Sequence, residues 1–276
     1  MNIAVLSGKG GTGKTTVAVN LAATMGWRYV DCDIEEPNGW MFLQPELEQT
    51  EPVTMPSPVV DSQLCTHCGA CAHACQFHAL SVPAGGVMVF PALCHGCGLC
   101  TLVCPTQAIS EQAREIGRID RGKGASGECR QGVLHVGEPS GVRIIDRLLQ
   151  NLEGDTPVVL DCAPGASCNV VAAIKKADFA LLVTEATPFG AHDLNLSIQL
   201  IKSIGLPGAI VVNRSTGDDQ LISDLAKDYS LPLVASLPFS RRAAATCAAG
   251  QLLQTADFRQ AFSRLGESIM GLSACN

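Results

Sequence analysis

The sequence predicts an α/β protein with a mostly parallel sheet, interrupted after its second strand by a small cysteine-rich insert of α+β type. Three observations predict this fold. Short apolar runs alternate with segments of helical periodicity along most of the chain. A glycine-rich loop follows the first apolar run. Eight of the 14 cysteines fall into two runs of one spacing, which sets the insert apart.

The predicted elements follow in chain order. The first strand, Asn2–Ser7, ends at the glycine-rich loop, and the helix after it, Thr15–Met25, stops at Gly26 because glycine commonly closes helices. The other predicted strands are apolar runs bounded by turn residues: Trp27–Asp31, Val158–Asp161, Phe179–Thr184, Ile210–Asn213 and Leu233–Leu237. Helices are predicted at Val142–Leu152, Asn169–Lys176, Leu194–Ile204, Gln220–Asp228, Arg241–Ala249 and Asp257–Met270.

Two domains are predicted. Residues 1–59 and 112–276 form a discontinuous α/β domain, and residues 60–111 form the insert. A proline-rich linker, Pro52–Pro58, leads into the insert, and Arg114–Gly127 is predicted as an exposed basic loop after it. We expect the ends of the insert to lie close together at the carboxyl edge of the sheet, where α/β proteins bind ligands.

Composition excludes several functions. A net charge of −7 and a pI near 5.3 argue against a nucleic-acid binder, which usually carries a basic face. No apolar run approaches the roughly 18 residues that a membrane-spanning helix needs. We expect no signal peptide, and the many free thiols indicate a reducing cytoplasm.

The two cysteine runs carry the strongest signal. The first reads C-x2-C-x2-C-x3-C, and the second repeats it 29 residues later (94 − 65) and ends in Cys-Pro. Bacterial ferredoxins with two [4Fe–4S] clusters show this pattern, and the fourth cysteine of each run ligates the other cluster. One cluster is therefore predicted on Cys65, Cys68, Cys71 and Cys104. The other is predicted on Cys75, Cys94, Cys97 and Cys100. Zinc, which also binds paired C-x2-C motifs, is the alternative.

The glycine-rich loop predicts a phosphate site. It fits the G-x4-G-K-[ST] pattern and is followed by Thr16; its residues are Gly8, Lys9, Gly10, Gly11, Thr12, Gly13, Lys14 and Thr15. Such a loop presents backbone N–H groups to phosphates at a helix N-terminus. Lys14 is expected to contact the β- and γ-phosphates, and Thr15 to bind Mg²⁺.

Lys9, directly after the first glycine, makes the loop resemble that of the MinD/ParA/nitrogenase-iron-protein class of P-loop ATPases, the SIMIBI type. Asp31-x-Asp33, Asp161 to Gly165 and Asn213-Arg214 match further motifs of this class, so the likeness covers the chain outside the insert. The chain looks most like the subfamily with an inserted ferredoxin domain. The resemblance implies that Lys9 crosses a dimer interface. It also implies that Asp31 and Asp161 act on the Mg²⁺ side, and that Asn213 and Arg214 contact adenine.

From these residues we expect a cytoplasmic ATPase that binds ATP or ADP with Mg²⁺ and two [4Fe–4S] clusters. Lys9, Lys14, Asp33 and Asp161 are the expected catalytic residues, with Asp33 orienting the attacking water. ATP-dependent homodimers, or heterodimers with a paralogue, would gate electron transfer to a redox partner protein. The alternative is a protein that assembles or carries an iron–sulfur or other metal cluster for a client, similar to Mrp-type ATPases. Neither nucleic acid nor a membrane is an expected partner.

Two weaker signals are left open. Cys168 lies seven residues after Asp161 (168 − 161), the offset of the cysteine that holds the intersubunit cluster in the nitrogenase iron protein. It is either such an interface thiol, with Cys129 as the obvious partner, or an incidental cysteine. The basic residues after the insert form either a solvated loop or a docking site for an acidic partner; they are Arg114, Arg118, Arg121, Lys123 and Arg130.

Overall fold

A computed structural model describes residues 1–273 of the chain. The strands are β1 (Asn2–Leu6), β2 (Arg28–Cys32), β3 (Glu46–Val60), β4 (Leu80–Ser81), β5 (Met88–Val89), β6 (Ile109–Gly124), β7 (Gly127–Leu134), β8 (Val158–Cys162), β9 (Phe179–Thr184), β10 (Gly208–Ser215) and β11 (Leu233–Pro238). The helices are α1 (Lys14–Met25), α2 (Gly39–Leu43), α3 (Ala70–Ala74), α4 (Leu99–Leu102), α5 (Val142–Leu148), α6 (Cys168–Ile174), α7 (Pro188–Ser203), α8 (Gln220–Asp228), α9 (Arg241–Ala248) and α10 (Ala256–Ser273).

Nine strands form one sheet in the order β11-β10-β9-β1-β8-β2-β7-β6-β3. The first seven run parallel, and β6 and β3 continue the sheet in antiparallel pairing. Helices α5 to α8 bury their apolar sides against one face, and α1 and α10 against the other. The prediction of an α/β protein with a mostly parallel sheet is confirmed.

Two predicted connections are wrong, because both are strands. The Pro52–Pro58 linker lies inside β3, and the basic loop Arg114–Gly127 is most of β6 with its turn into β7. Proline is tolerated in β3 because this strand is at the sheet edge, where half of the N–H groups need no partner. Ile116 and Ile119 of β6 are fully buried, which supplies the apolar contacts that the charged sequence concealed.

The basic residues of this region are all paired with acids. The pairs are Arg114–Glu138, Arg118–Asp120, Arg121–Glu51, Lys123–Glu48 and Arg130–Glu128. Because each cation already has a carboxylate beside it, the stretch offers little net positive charge to an acidic partner. The docking interpretation of these residues therefore loses its electrostatic basis.

Helix α7 begins at Pro188, earlier than the predicted Leu194. Thr187 caps it by accepting a hydrogen bond from the Gly190 N–H at 3.0 Å, and proline fits the first helical position. Helix α5 ends at Leu148, short of the predicted Leu152. Among the described residues, no helix is long and apolar enough to cross a bilayer.

Residues 61–108 connect the end of β3 to the start of β6 and lie at that end of the strand pair. Strand β7 pairs with residues 117–124 of β6, so Ile109–Ile116 extend beyond it at the carboxyl edge of the parallel strands. The ends of the segment meet where the Asp61 N–H donates to the Ala108 carbonyl at 2.7 Å. The expectation that these ends lie together at this edge is confirmed. The segment has a small apolar cluster of its own, which includes Cys71, Leu80 and Cys100.

The 29-residue repeat is also visible in the backbone of this segment. Left-handed conformations recur at that offset, in the pairs His67 and Gly96, Gly69 and Gly98, and His78 and Gln107. Helices α3 and α4 likewise begin at equivalent positions, directly after Gly69 and Gly98. The two cysteine runs therefore have matching local folds.

Candidate nucleotide and thiol sites

The glycine-rich loop joins β1 to α1 at the carboxyl edge of the sheet. Gly13 has φ 85°, and a Cβ there would lie 2.1 Å from the Asn213 amide nitrogen, so no larger residue fits. That nitrogen donates to the Thr12 carbonyl at 2.8 Å, which ties the end of β10 to the loop. The structure thus brings together the loop and Asn213, which lie 200 residues apart in sequence (213 − 13).

Lys14 is at the centre of a buried polar network. Its ammonium donates to Asp161 Oδ1 at 3.0 Å, and the Tyr29 hydroxyl donates to Asp161 Oδ2 at 2.9 Å. Burial is the largest single effect and lowers the pKa of Lys14, but the charge of Asp161, the hydrogen bond to it and the charge of Asp33 together outweigh burial. The pKa of Lys14 is therefore raised, and the lysine stays charged. Sequence reasoning missed Tyr29. Its position two residues before Asp31 on one strand was the available signal, because such residues share a face.

Asp31 holds the loop after β2. Its carboxylate accepts N–H groups from Asp33 at 3.1 Å, Asn38 at 3.1 Å and Gly39 at 2.9 Å. Full burial, and then the neighbouring Asp161 charge, raise the pKa of Asp31 to about 7. This geometry assigns Asp31 to organising the loop that carries Asp33. Direct Mg²⁺ ligation by Asp31 stays a prediction.

The site is short of positive charge and of hydrogen-bond acceptors. Asp31 and Asp161 are fully buried, with Lys14 as the cation that donates to Asp161. The buried Thr12 hydroxyl has no hydrogen-bond partner within residues 1–273, and over the same residues Lys9 forms no ion pair. A phosphate with its Mg²⁺ fits these features, because the metal would offset the carboxylates and the phosphate oxygens would accept from the loop.

A cavity of about 320 Å³ lies beside the loop, between Thr16 of α1 and the ends of β10 and β11. Besides Asn213 and Arg214, its walls include Leu237, Pro238, Phe239, Ser240 and Cys247. Sequence reasoning missed these five residues. The carboxyl ends of neighbouring parallel strands were the available signal, because ligands bind there. Arg214 also pairs with Glu185 at 2.8 Å. The cavity is placed to receive a nucleobase.

We expect this cavity to prefer adenine to guanine. Guanine readers of the N-K-x-D type supply an aspartate, whereas this chain has Asn213-Arg214 and then Thr216 at the position of the acid. A competition titration of ATP against GTP checks this preference. Tighter binding of GTP would contradict the assignment of the cavity to adenine.

The eight cysteines of the two runs surround two separate cavities. The thiols around one cavity are Cys65, Cys68, Cys71 and Cys104. The thiols around the other are Cys75, Cys94, Cys97 and Cys100. These are the two crossed sets that the spacing predicts. Among the described residues, no group of three or more His, Cys, Asp or Glu side chains is placed to hold a single metal ion.

Backbone N–H groups point at several of these sulfur atoms. Ala79 donates to Cys75 Sγ at 3.3 Å, and Ala108 donates to Cys104 Sγ at 3.2 Å, which repeats the contact 29 residues on. Burial acts to raise the pKa of Cys104, but N–H donors led by Ala108 outweigh it and the pKa is lowered. Such donors favour the thiolate form, which is the form that binds metal.

Cys168 and Cys129 differ in exposure. Cys168 is exposed at the start of α6, whereas Cys129 is fully buried in β7 beside Ser126. Cys129 is therefore a poor partner for an interface thiol. Whether Cys168 binds an intersubunit cluster stays a prediction.

Comparison with known proteins gives concordant results. Residues 3–253 match the profile described as the CobQ/CobB/MinD/ParA nucleotide binding domain. An uncharacterized protein of Methanocaldococcus jannaschii is 29% identical over 252 residues, covering 88% of this chain and 87% of the relative. The fold resembles the cell division ATPase MinD of Pyrococcus furiosus, with a TM-score of 0.61 at 20% identity and 98% of both chains covered. MinD of Pyrococcus horikoshii in complex with Mg-ADP gives a TM-score of 0.60 at 19% identity, covering 99% of this chain and 96% of that one.

Proposed function

This chain belongs to the CobQ/CobB/MinD/ParA family of nucleotide-binding domains, and on that premise we propose that it is a Mg²⁺-dependent ATPase whose nucleotide state gates electron transfer through two [4Fe–4S] clusters. One observation carries the proposal. Two crossed sets of four thiols surround two cavities on a segment that stands at the same sheet edge as the phosphate loop. The clusters would be held by residues of the predicted 60–111 ferredoxin domain.

The number and the chemistry of the ligands support a cubane cluster at each thiol site. Four cysteines are available to each cavity, and N–H donors to sulfur stabilise the thiolates that cluster binding requires. When bound, such clusters supply one-electron redox chemistry. The protein contributes the ligands, the N–H donors and the partial exclusion of water, since Cys71, Cys94 and Cys100 are buried.

ATP binding would change the partner of Lys14. In the structure Lys14 neutralises Asp161, but the phosphate loop requires its ammonium on the β- and γ-phosphates. When Lys14 turns to phosphate, Asp161 is left as a buried carboxylate, which is costly without a new cation. Mg²⁺ beside Thr15 and Asp161 would restore the charge balance. Asp161 begins the loop to Gly165, which resembles the switch II loop of this ATPase class, so this exchange of partners would move that loop.

Hydrolysis would require a second subunit. Lys9 has no acidic partner within residues 1–273, so its ammonium is free to contact nucleotide across a dimer interface, as the resemblance implies. Asp33 is half-buried next to this site and would orient the attacking water. Burial raises the pKa of Asp33 and the charge of Lys14 lowers it, with a net rise. We expect slow hydrolysis, because no other carboxylate or histidine is assigned as a base.

The proposal is tested by redox titration of the holoprotein with Mg²⁺-ATP and with Mg²⁺-ADP. We expect ATP to shift the midpoint potential or the reduction rate of a cluster, because the loops that carry Asp33 and Asp161 lie at the same sheet edge as the thiol sites. Asp161→Asn should weaken the shift at unchanged iron content, since Asp161 binds no iron. Asp228→Asn, an exposed aspartate on α8, is the matched control and should retain the shift.

Gating would be contradicted if the redox titrations with ATP and with ADP superimpose and the rate of electron transfer to a partner protein is the same with both nucleotides. The carrier alternative would then lead. Its own signature is a cluster that chelators remove in the nucleotide-free state and not in the ATP state.

A further inference from the structure

One partly buried ion pair connects the loop after β7 to the residues just before Cys94. The Arg114 guanidinium, on β6, donates to both carboxylate oxygens of Glu138, to Oε2 at 2.8 Å. The same guanidinium donates to the Pro91 carbonyl at 3.2 Å. The side chains are only 22% and 10% exposed, so this pair is held in one geometry far better than a surface ion pair.

On the nucleotide side, the loop that carries Glu138 is tied to the residues around Asp33. The Leu134 N–H donates to the Ile34 carbonyl at 2.8 Å, directly after Asp33 in sequence. Glu138 and Asp33 also line one cleft of about 690 Å³, together with Ser167 beyond the end of β8. A movement of the loop that carries Asp33, or of the loop after β8, would therefore be transmitted to Glu138.

On the thiol side, Arg114 contacts the turn that places Cys94. Pro91 opens a short 3₁₀ turn, and its carbonyl accepts from the Cys94 N–H at 3.1 Å as well as from Arg114. Because Arg114 and the Cys94 N–H donate to this one carbonyl, the guanidinium charge also lies close to the backbone of Cys94. Arg114 thus acts on both the position and the electrostatic environment of one thiol set.

The other half of the repeat does not offer an equivalent contact. The repeat offset of 29 places Gly85 where Arg114 stands and Ser62 where Pro91 stands. Residues 61–108 contain no lysine or arginine, so this segment supplies no such cation to Cys65. The backbone of the two halves repeats, but the connection to the nucleotide side does not.

We propose that the Arg114–Glu138 pair is the positioning contact through which nucleotide state reaches the Cys75/Cys94/Cys97/Cys100 site, while the Cys65/Cys68/Cys71/Cys104 site is not coupled. This inference rests on the proposed function. A shift of Glu138 away from Arg114 would leave the guanidinium charge less neutralised beside Cys94. That change would favour the more negative, reduced state of a cluster there.

The test is hydrogen–deuterium exchange of the full-length holoprotein with Mg²⁺-ATP and with Mg²⁺-ADP, compared at residues 91–97 and 62–68. We expect the nucleotide to change exchange in residues 91–97 and to leave 62–68 unchanged. Arg114→Gln should abolish the change in 91–97 while iron content and ATP affinity stay at wild-type values. Glu138→Gln, which keeps the size of the side chain, should do the same if Arg114→Gln folds poorly.

Arg118→Gln is the matched control, because Arg118 lies four residues along the same strand and pairs with Asp120 away from Pro91. It should retain the wild-type response. A nucleotide effect on residues 91–97 that survives in both Arg114→Gln and Glu138→Gln overturns the inference. A nucleotide effect of equal size at residues 62–68 overturns it too. Neither result contradicts gating itself. If ATP binds but changes neither segment nor any potential in the wild type, gating itself fails.

Discussion

Replacing Lys14 with alanine is expected to abolish measurable ATP binding. Hydrogen bonds to charged groups contribute about 1.5–3 kcal/mol each, so the loss corresponds to roughly 10- to 150-fold in affinity for one contact alone. Lys14 also balances Asp161, which is fully buried, and the variant would leave this carboxylate without its cation. Isothermal titration calorimetry measures the affinity, and thermal unfolding reports the cost of the unpaired Asp161.

Lys9→Ala is the matched control for this result. It removes the same functional group from the same loop, but from a lysine without an acidic partner among the described residues. We expect it to spare much of the ATP binding and to lose hydrolysis and ATP-dependent dimerisation, measured by phosphate release and by size-exclusion chromatography. Equal loss of binding in both variants would contradict a role for Lys9 across the dimer interface.

Crossed ligation predicts an unusual pattern of iron loss. The holoprotein should hold about eight iron and eight sulfide per chain, and Cys75→Ala should reduce each to about four. The double variant Cys75→Ala/Cys94→Ala should lose no more, because both thiols line the same cavity. The double variant Cys75→Ala/Cys71→Ala should lose nearly all iron, because Cys71 lines the other cavity.

If each cysteine run instead held one cluster by itself, the iron contents of the two double variants would be exchanged. Cys75 would then share a cluster with Cys71, and the Cys75→Ala/Cys94→Ala variant would be the one without iron. Cys247→Ala, a thiol outside the segment, should keep the full content and controls for general damage. Stoichiometric zinc without acid-labile sulfide in the wild type would contradict iron–sulfur clusters altogether.

Local patterns predicted the parts of this protein that depend on short stretches of chain. The position of the loop from Gly8 to Thr15 and the six predicted apolar strands were predicted correctly because spacing and hydrophobicity determine them directly, whereas the parallel strand β7 was not predicted. Strands β3 and β6 were missed because prolines and arginines conceal them, and only their mutual pairing over residues 46–60 and 109–124 makes them strands. No local pattern carries information about a partner strand so far along the chain.

In the candidate site, too, local motifs were predicted and features that depend on distant parts of the chain were not. Lys14, Asp161 and Asn213 were predicted from motifs, and the structure brings them to one sheet edge. The hydroxyl of Tyr29, which contacts Asp161, and the base cavity at Leu237 depend on how neighbouring strands lie side by side. The Arg114–Glu138 pair joins strand β6, which was predicted as a loop, to the loop after β7. The sequence alone therefore gave no reason to connect these two residues.

The long β3–β6 ladder also has a consequence for how the chain folds. Residues 61–108 form a loop of 48 residues (108 − 61 + 1) that must close before β3 can join the sheet. Closing such a loop costs roughly 2 kcal/mol more than closing a four-residue turn, if the loop is unstructured. A segment already folded around the proposed clusters would present its two ends together and remove most of this entropic penalty. Loading of iron would then speed the docking of the edge strand and slow its fraying, so the rate of sheet completion would depend on metal supply.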